Sequence, residues 1–275
     1  MIRLSRSVQA VQGQKFTVDP AWKRRLAEKG IAADRDWSQV VGDELKSTSL
    51  ATKCYRMTLK DGVVVYFKRY VYPPKFWLEF WMRPGKAAVE TWAYAQLQKL
   101  DIPTLDVIAF GERRIFGMLI ATCIVTREAP DAQDLRFFAR DVWYHMPELE
   151  RKRVYREIAS QLVEQVRTAH QGGFFHHDLK WRNIMIQRQG ERYVPVWIDS
   201  PRASRMRFRE HRGMVVDLSN LVRMAVSYLN KYDYMRFLCD YLGKERKPGD
   251  ATRLYREVAR HLSKRPPRPT VLPPR

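Results

Sequence analysis

The run His176-His177-Asp178-Leu179-Lys180-Trp181-Arg182-Asn183 sets an acid, a lysine and an amide at spacings that suit phosphoryl transfer from a nucleotide to a hydroxyl. An Asp at a loop apex accepts the hydroxyl proton, and an Asn five residues later turns back to hold a divalent cation on the phosphates. Lys180 is placed to neutralise the group in transfer. Asp178 and Lys180 are therefore the expected catalytic pair and Asn183 an expected metal ligand. Further on, Val196-Trp197-Ile198-Asp199 is an apolar strand ending in a carboxylate, which a second metal ligand requires, although Ser200-Pro201 follow it. Upstream, Lys68 sits near the end of a strand-like run and Glu90 in the early turns of the next helix. Such a pair aims a lysine at nucleotide phosphates. Alone, each is an ordinary surface charge; together, in this order, they read as cofactor-binding residues. ATP and Mg2+ are the implied cofactors.

The elements that must position these residues follow from periodicity. Asp19-Pro20 before Ala21–Gly30 reads as a capped helix start with a glycine stop. Residues 51–59 and 63–70 read as strands joined by Lys60-Asp61-Gly62, a hairpin turn. Residues 72–85 are dense in aromatics and bounded by prolines, a loop or short helix whose Trp and Phe suit either a core or a lipid interface. A helix is expected from Lys86 to Leu100, with Ala88, Trp92, Ala95 and Leu97 packing, then strands at 105–110 and 117–126. Pro147 to His170 carries Val154, Ile158, Leu162, Val166 and Ala169 at helical spacing and ends at Gly172-Gly173. Residues 183–189 and 193–199 form a second expected hairpin, and His211 to Leu262 is expected to be mostly helical with a break at Pro248-Gly249.

This order predicts an α+β fold of two lobes. Residues 1–44 read as an N-terminal extension with a short helix, 45–128 as a small strand-rich N-terminal lobe, 129–262 as a mostly helical C-terminal lobe, and 263–275 as an extended Pro- and Arg-rich tail. The 275 residues are 45% hydrophobic and 12% aromatic, as expected of a globular protein. Lys plus Arg number 50 against 30 acidic residues, a formal charge of +20 that predicts an anionic partner. Cys54, Cys123 and Cys239 are odd in number and scattered, which argues against disulfides or zinc and suits a reducing cytosol. No stretch is apolar enough for a signal peptide or a membrane span, so a soluble or peripheral protein is expected.

Through Lys68, Glu90, residues 176–183, the Ile198-Asp199 strand end and Asp217 opening a helix, the chain resembles the lipopolysaccharide kinase family over about residues 45 to 240. These are the Kdo/WaaP-type sugar kinases of Gram-negative inner-core synthesis. The resemblance implies a protein-kinase-like fold and an ATP-dependent kinase that phosphorylates a heptose or Kdo hydroxyl. The implied acceptor is a lipid-linked core oligosaccharide. The implied place is the cytoplasm, at the cytoplasmic face of the inner membrane, with peripheral contact to its anionic lipids. It also implies that Asp217 fixes the catalytic-loop backbone, with His176 bracing the loop.

Departures from the pattern are informative. No G-x-G-x-x-G precedes Lys68; Gly42 and Lys46-Ser47-Thr48-Ser49 are what remains to cover phosphates. His177 replaces the Arg that reads a phosphorylated activation loop. The short stretch from Asp199 to Asp217 lacks A-P-E, which argues against a peptide substrate, and its Arg205, Arg207 and Arg209 suit an anionic glycan. Two other classes compete. A pseudokinase scaffold is disfavoured by intact Lys68, Asp178, Asn183 and Asp199. A nucleic-acid-binding protein fits the charge, but no helix-turn-helix, RNP or zinc pattern is present, so nucleic acid is not the expected partner.

Overall fold

The computed structural model describes residues 2–206, 208 and 210–264. The chain divides into two compact units, residues 1–96 with 105–129 and residues 97–104 with 130 onward. Most of the expected tail lies outside the described residues.

The first unit contains β1 (Gly13–Val18), α1 (Lys23–Glu28), β2 (Glu44–Thr48), β3 (Thr52–Thr58), β4 (Val64–Val71), most of α2 (Lys86–Lys99), β5 (Val107–Ile115) and β6 (Met118–Arg127). The strands form one antiparallel sheet in the order β1-β5-β6-β4-β3-β2. At the expected β3–β4 turn, the Gly62 N–H donates to the Leu59 carbonyl at 2.9 Å with φ of 81°. The Asp19 carboxylate accepts the Ala21 N–H at 3.1 Å, which starts the turn at Pro20–Trp22 that leads into α1.

Strand alternation decides what each β4 side chain meets. Val65 and Phe67 are fully buried in a layer with Leu26, Ile31 and Trp37, so Lys68 lies on the opposite face. Each large apolar side chain buried in that layer contributes about 1.5–3 kcal/mol. Residues 1–44, read from sequence as an extension, are thus part of the unit. β1 pairs with β5, and residues 16–40 supply Phe16, Val18, Trp22, Leu26, Ile31, Trp37 and Val40 to its core. Gly42 is committed to packing: a Cβ there would lie 2.4 Å from the Tyr55 Cβ.

The second unit contains β7 (Ala132–Asp134), α3 (Leu135–Phe137), α4 (Glu148–Gln171), β8 (Phe174–Phe175), β9 (Ile184–Gln189), β10 (Arg192–Trp197), β11 (Ser204–Arg205), α5 (Glu210–Ala225), α6 (Lys231–Leu242) and α7 (Asp250–Ser263). Val154, Ile158, Leu162, Val166 and Ala169 are buried along α4, as its period requires. The β9–β10 hairpin carries β7 on its other edge, and β8 pairs with β11.

Gly111 on β5 leaves room for Trp37. A Cβ there would lie 2.8 Å from both the Trp37 ring and the Cys123 Sγ, and neither buried neighbour can swing away. Gly111→Ala is therefore expected to lower the unfolding free energy by about 1–3 kcal/mol. Urea unfolding checks this, and an unchanged midpoint contradicts it.

Candidate active site

In the first unit, β4 and α2 bring Lys68 and Glu90 together. The Lys68 ammonium donates to Glu90 Oε2 at 3.2 Å and Oε1 at 3.4 Å, and the Glu90 carboxylate is almost wholly buried. The same carboxylate accepts the hydroxyls of Tyr70 and Tyr94, each at 3.0 Å. Burying a carboxylate is costly unless its lone pairs are filled, and these donors fill them. The result is an ammonium held in one place on a half-buried stem. Tyr70 shares the β4 face of Lys68, and Tyr94 lies one helical turn after Glu90. Both spacings are readable in the sequence, yet nothing in the residue types alone marks either tyrosine as part of the site.

In the second unit, β8 delivers the chain into the catalytic-looking loop. His176 is fully buried; its Nδ1 accepts the Asp178 N–H at 3.3 Å, which leaves Nε2–H to donate to the Ile198 carbonyl at 3.1 Å. The His176 N–H donates to Asp217 Oδ2 at 2.8 Å, and Asn220 Nδ2 donates to the His177 carbonyl at 3.3 Å, so α5 holds this backbone at two points. His177 adopts the left-handed φ of 61° at the bend. Its Nε2 meets Ser204 Oγ at 2.7 Å, an uncharged contact at the position where a phosphate-reading arginine was missing.

The bend presents Asp178 to three donors. Lys180 pairs with Oδ1, Arg182 lies 3.3 Å from Oδ2, and Asn183 Nδ2 donates to Oδ2 at 3.3 Å and to the Asp178 carbonyl at 2.8 Å. Arg182 is an addition that sequence reasoning missed, although it lies four residues after Asp178. Asp178, Lys180 and Asn183 are thus brought together.

Asp199 reaches the same loop by strand pairing. Ile184 opposes Trp197 in the β9–β10 register, and the Ile198 N–H donates to the Asn183 carbonyl at 2.9 Å, which sets Asn183 and Asp199 at adjoining ends of the hairpin. Asp199 has φ of 57°, a conformation that Asp tolerates better than most residues and that commonly marks functional turns. A carboxylate and an amide oxygen are hard donors of the kind Mg2+ accepts, and that ion fills its remaining positions with water and phosphate oxygens. The pair fits the ion the sequence implies. Arg205 is exposed on β11, whereas Arg207 and Arg209 lie outside the described residues.

Behind the loop, Asp217 is fully buried. It accepts the His176 N–H and meets His170 Nε2 at 3.4 Å, while His170 Nδ1 contacts the Tyr241 hydroxyl at 2.8 Å. Asp217→Ala strands these donors and is expected to destabilise the unit by about 1–3 kcal/mol for each group left unsatisfied. Asp217→Asn, which keeps an acceptor oxygen, is expected to cost less. Denaturant unfolding with hydrogen exchange at the His176 amide tests this, and equal stability of Asp217→Ala and wild type contradicts it.

The sequence pattern of the Lipopolysaccharide kinase (Kdo/WaaP) family matches residues 77–241, more than half of the chain. Among solved structures, one described as "WaaP in complex with acyl carrier protein" superposes with a TM-score of 0.67 at 20% identity, over 91% of this chain and 98% of that one, which establishes a shared fold. A search of curated proteins found no match. With its kinase-like α+β fold and the loop described above, the chain belongs to the lipopolysaccharide kinase (Kdo/WaaP) family, the kinases that phosphorylate sugars of the lipopolysaccharide core.

Proposed function

We propose that the protein transfers the γ-phosphoryl group of ATP to a heptose or Kdo hydroxyl of the lipopolysaccharide inner core, with Asp178 as the base. The observation that carries this reading is the convergence of Lys180, Arg182 and Asn183 on the Asp178 carboxylate, beside the turn that carries Asp199. Asp178 orients the sugar hydroxyl and takes its proton as the new O–P bond forms and the bond to the β-phosphate oxygen breaks. Lys180 neutralises the phosphoryl oxygens, and Lys68, held by Glu90, pairs with the nucleotide phosphates. Asn183 and Asp199 would hold Mg2+, which supplies charge neutralisation on the phosphates.

The segment after Asp199 supports a sugar acceptor over a peptide. It forms the two-residue strand β11 against β8 and enters α5 at Glu210, which leaves little chain on which an extended peptide could be laid out. Arg205, with Arg207 and Arg209, is assigned to the acidic glycan. Among the described residues no helix is long and apolar enough to cross a membrane. A lipid-linked acceptor therefore calls for peripheral contact with the anionic cytoplasmic face of the inner membrane.

We extend to this chain the partner named with the similar WaaP, an acyl carrier protein. An apolar cavity in the second unit supports this. Leu135, Phe138, Ile158, Leu162, Leu221 and Ala225 line it with Trp181 of the catalytic segment, which stacks on Tyr228 at 5.3 Å. Such walls suit an alkyl chain. Ala225→Phe is expected to fill the cavity and weaken binding of a fluorescent fatty acid by about tenfold or more. Unchanged affinity removes the cavity from this role.

Two substitutions test the assignment of the carboxylates. Asp178→Asn is expected to keep nucleotide affinity and lose about 10²–10⁴-fold in turnover. Asp199→Ala is expected to abolish the magnesium dependence of nucleotide binding. Calorimetric titration of ATP with and without Mg2+, beside turnover on purified core glycolipid, separates the two. Near-normal turnover of Asp178→Asn contradicts its role as base, and unchanged magnesium-dependent affinity in Asp199→Ala contradicts its role as metal ligand.

A further inference from the structure

Among the large apolar side chains of the first unit that stand in solvent, five cluster: Val11 is 55% exposed, Leu78 85%, Trp81 56%, Met82 47% and Phe116 76%. They are neighbours. The Trp81 indole N–H donates to the Phe116 carbonyl at 3.1 Å, the Met82 N–H to the Gly117 carbonyl at 3.3 Å, and the Gly117 N–H to the Val11 carbonyl at 2.9 Å. The Trp81 N–H donates to the Leu78 carbonyl, which places Leu78 on the same turn. Two other aromatic side chains of this segment turn to Tyr72: Phe80 packs on its ring with centroids 4.8 Å apart, and the Trp77 indole donates to its carbonyl at 2.8 Å.

A buried ion pair holds the display in place. Arg114 and Glu112 meet at 2.8 Å with no exposed side-chain surface. Arg114 also donates to the carbonyls of Phe80 (3.1 Å), Gly117 (2.7 Å) and Arg83 (2.6 Å), and Glu112 accepts the N–H groups of Gln9 (3.0 Å) and Ala10 (3.2 Å). All three displaying segments are therefore tied to one pair whose desolvation its own attraction only partly returns. Met82 and Phe116 have φ of 49° and 48°, left-handed backbone that non-glycine residues hold only under constraint. These features describe apolar side chains fixed outside the core, not ones that failed to enter it.

Around them, exposed Lys75, Arg83 and Lys86 outweigh Glu79, the one carboxylate of residues 72–86. We infer that this surface seats the protein on an anionic lipid bilayer. Leu78, Trp81, Met82 and Phe116 enter the boundary between headgroups and acyl chains, and the three cations meet lipid phosphates. The charge complementarity of this rim favours lipid over a second copy of the same cationic surface. The inference deepens the proposed function, because it rests on a lipid-linked acceptor.

The test uses the full chain in flotation with vesicles of phosphatidylethanolamine and phosphatidylglycerol, and with vesicles of phosphatidylcholine alone. Wild type is expected to bind the anionic vesicles in a salt-sensitive manner. Leu78→Ser/Trp81→Ser/Phe116→Ser is expected to bind them about tenfold or more weakly. A second variant, Lys75→Glu/Arg83→Glu/Lys86→Glu, is expected to lose the preference for anionic over neutral vesicles. Both variants are expected to keep wild-type turnover on a water-soluble, deacylated core saccharide. Absent binding by wild type, wild-type binding by the apolar variant, or a wild-type dimer that this variant converts to monomer overturns the inference. If vesicle binding follows the variants but no form phosphorylates the soluble saccharide, the docking surface stands and the acceptor assignment falls.

Discussion

A fully buried carboxylate organises the loop that carries Asp178. Asp217, on α5, collects the His176 backbone N–H and lies beside His170 of α4, so two helices and the loop after β8 share one acceptor. A buried polar group costs free energy unless donors meet it, and because those donors come from the loop and from α4, the loop conformation and the helix packing are conditions of each other. His176 then passes the constraint forward. Fixed by Asp217 at its backbone, it ties the Asp178 N–H to one ring nitrogen and the Ile198 carbonyl to the other. One buried carboxylate thereby sets both the Asp178 bend and the strand end that carries Asp199.

The first unit uses the same physics for a different end. Glu90 is buried on α2 and gathers Lys68, Tyr70 and Tyr94, and it is the two phenols that make the site specific. A lysine alone on a strand would sample many rotamers in water; beside a carboxylate already held by two hydroxyls it has one favoured position. Glu112 and Arg114 repeat the pattern at the far end of β5, where the anchored groups are the backbone carbonyls of Phe80, Arg83 and Gly117. In each case a buried carboxylate ties together chain segments, some of them distant in sequence, and so fixes where the side chains around it lie.

Local chemistry was legible in the sequence wherever period and turn residues agreed. The β3–β4 hairpin with Gly62, α2, α4 and the β9–β10 hairpin lie close to where spacing placed them, as does the Lys68–Glu90 pair. Strand β5 was legible only to Phe110. It continues to Ile115 because Glu112 and Arg114 neutralise each other inside the unit, which no alternation rule anticipates. β1 and β2 were not legible as strands. Their sequences, GQKFTV and ELKST, are polar edge strands whose partners are set by tertiary pairing, Gly13 with Arg114 and Glu44 with Arg56. β8 and β11 are two residues each, too short for any periodic signal. Of the candidate site, the sequence named residues that the structure brings together within each unit, Lys68 with Glu90 and Asp178 with Lys180 and Asn183, whereas Arg182, Tyr70 and Tyr94 emerged only once helix and loop geometry placed them.

The roles proposed for Asp178, Lys180, Asn183 and Asp199 all require that phosphate arrive at a sugar. Purified protein incubated with ATP, Mg2+ and isolated inner-core glycolipid, followed by tandem mass spectrometry of the released oligosaccharide, is the most direct measurement. The expected result is one added phosphate on a heptose or Kdo hydroxyl, absent without Mg2+. Ready phosphorylation of peptides with the glycolipid left unmodified contradicts a sugar-kinase function.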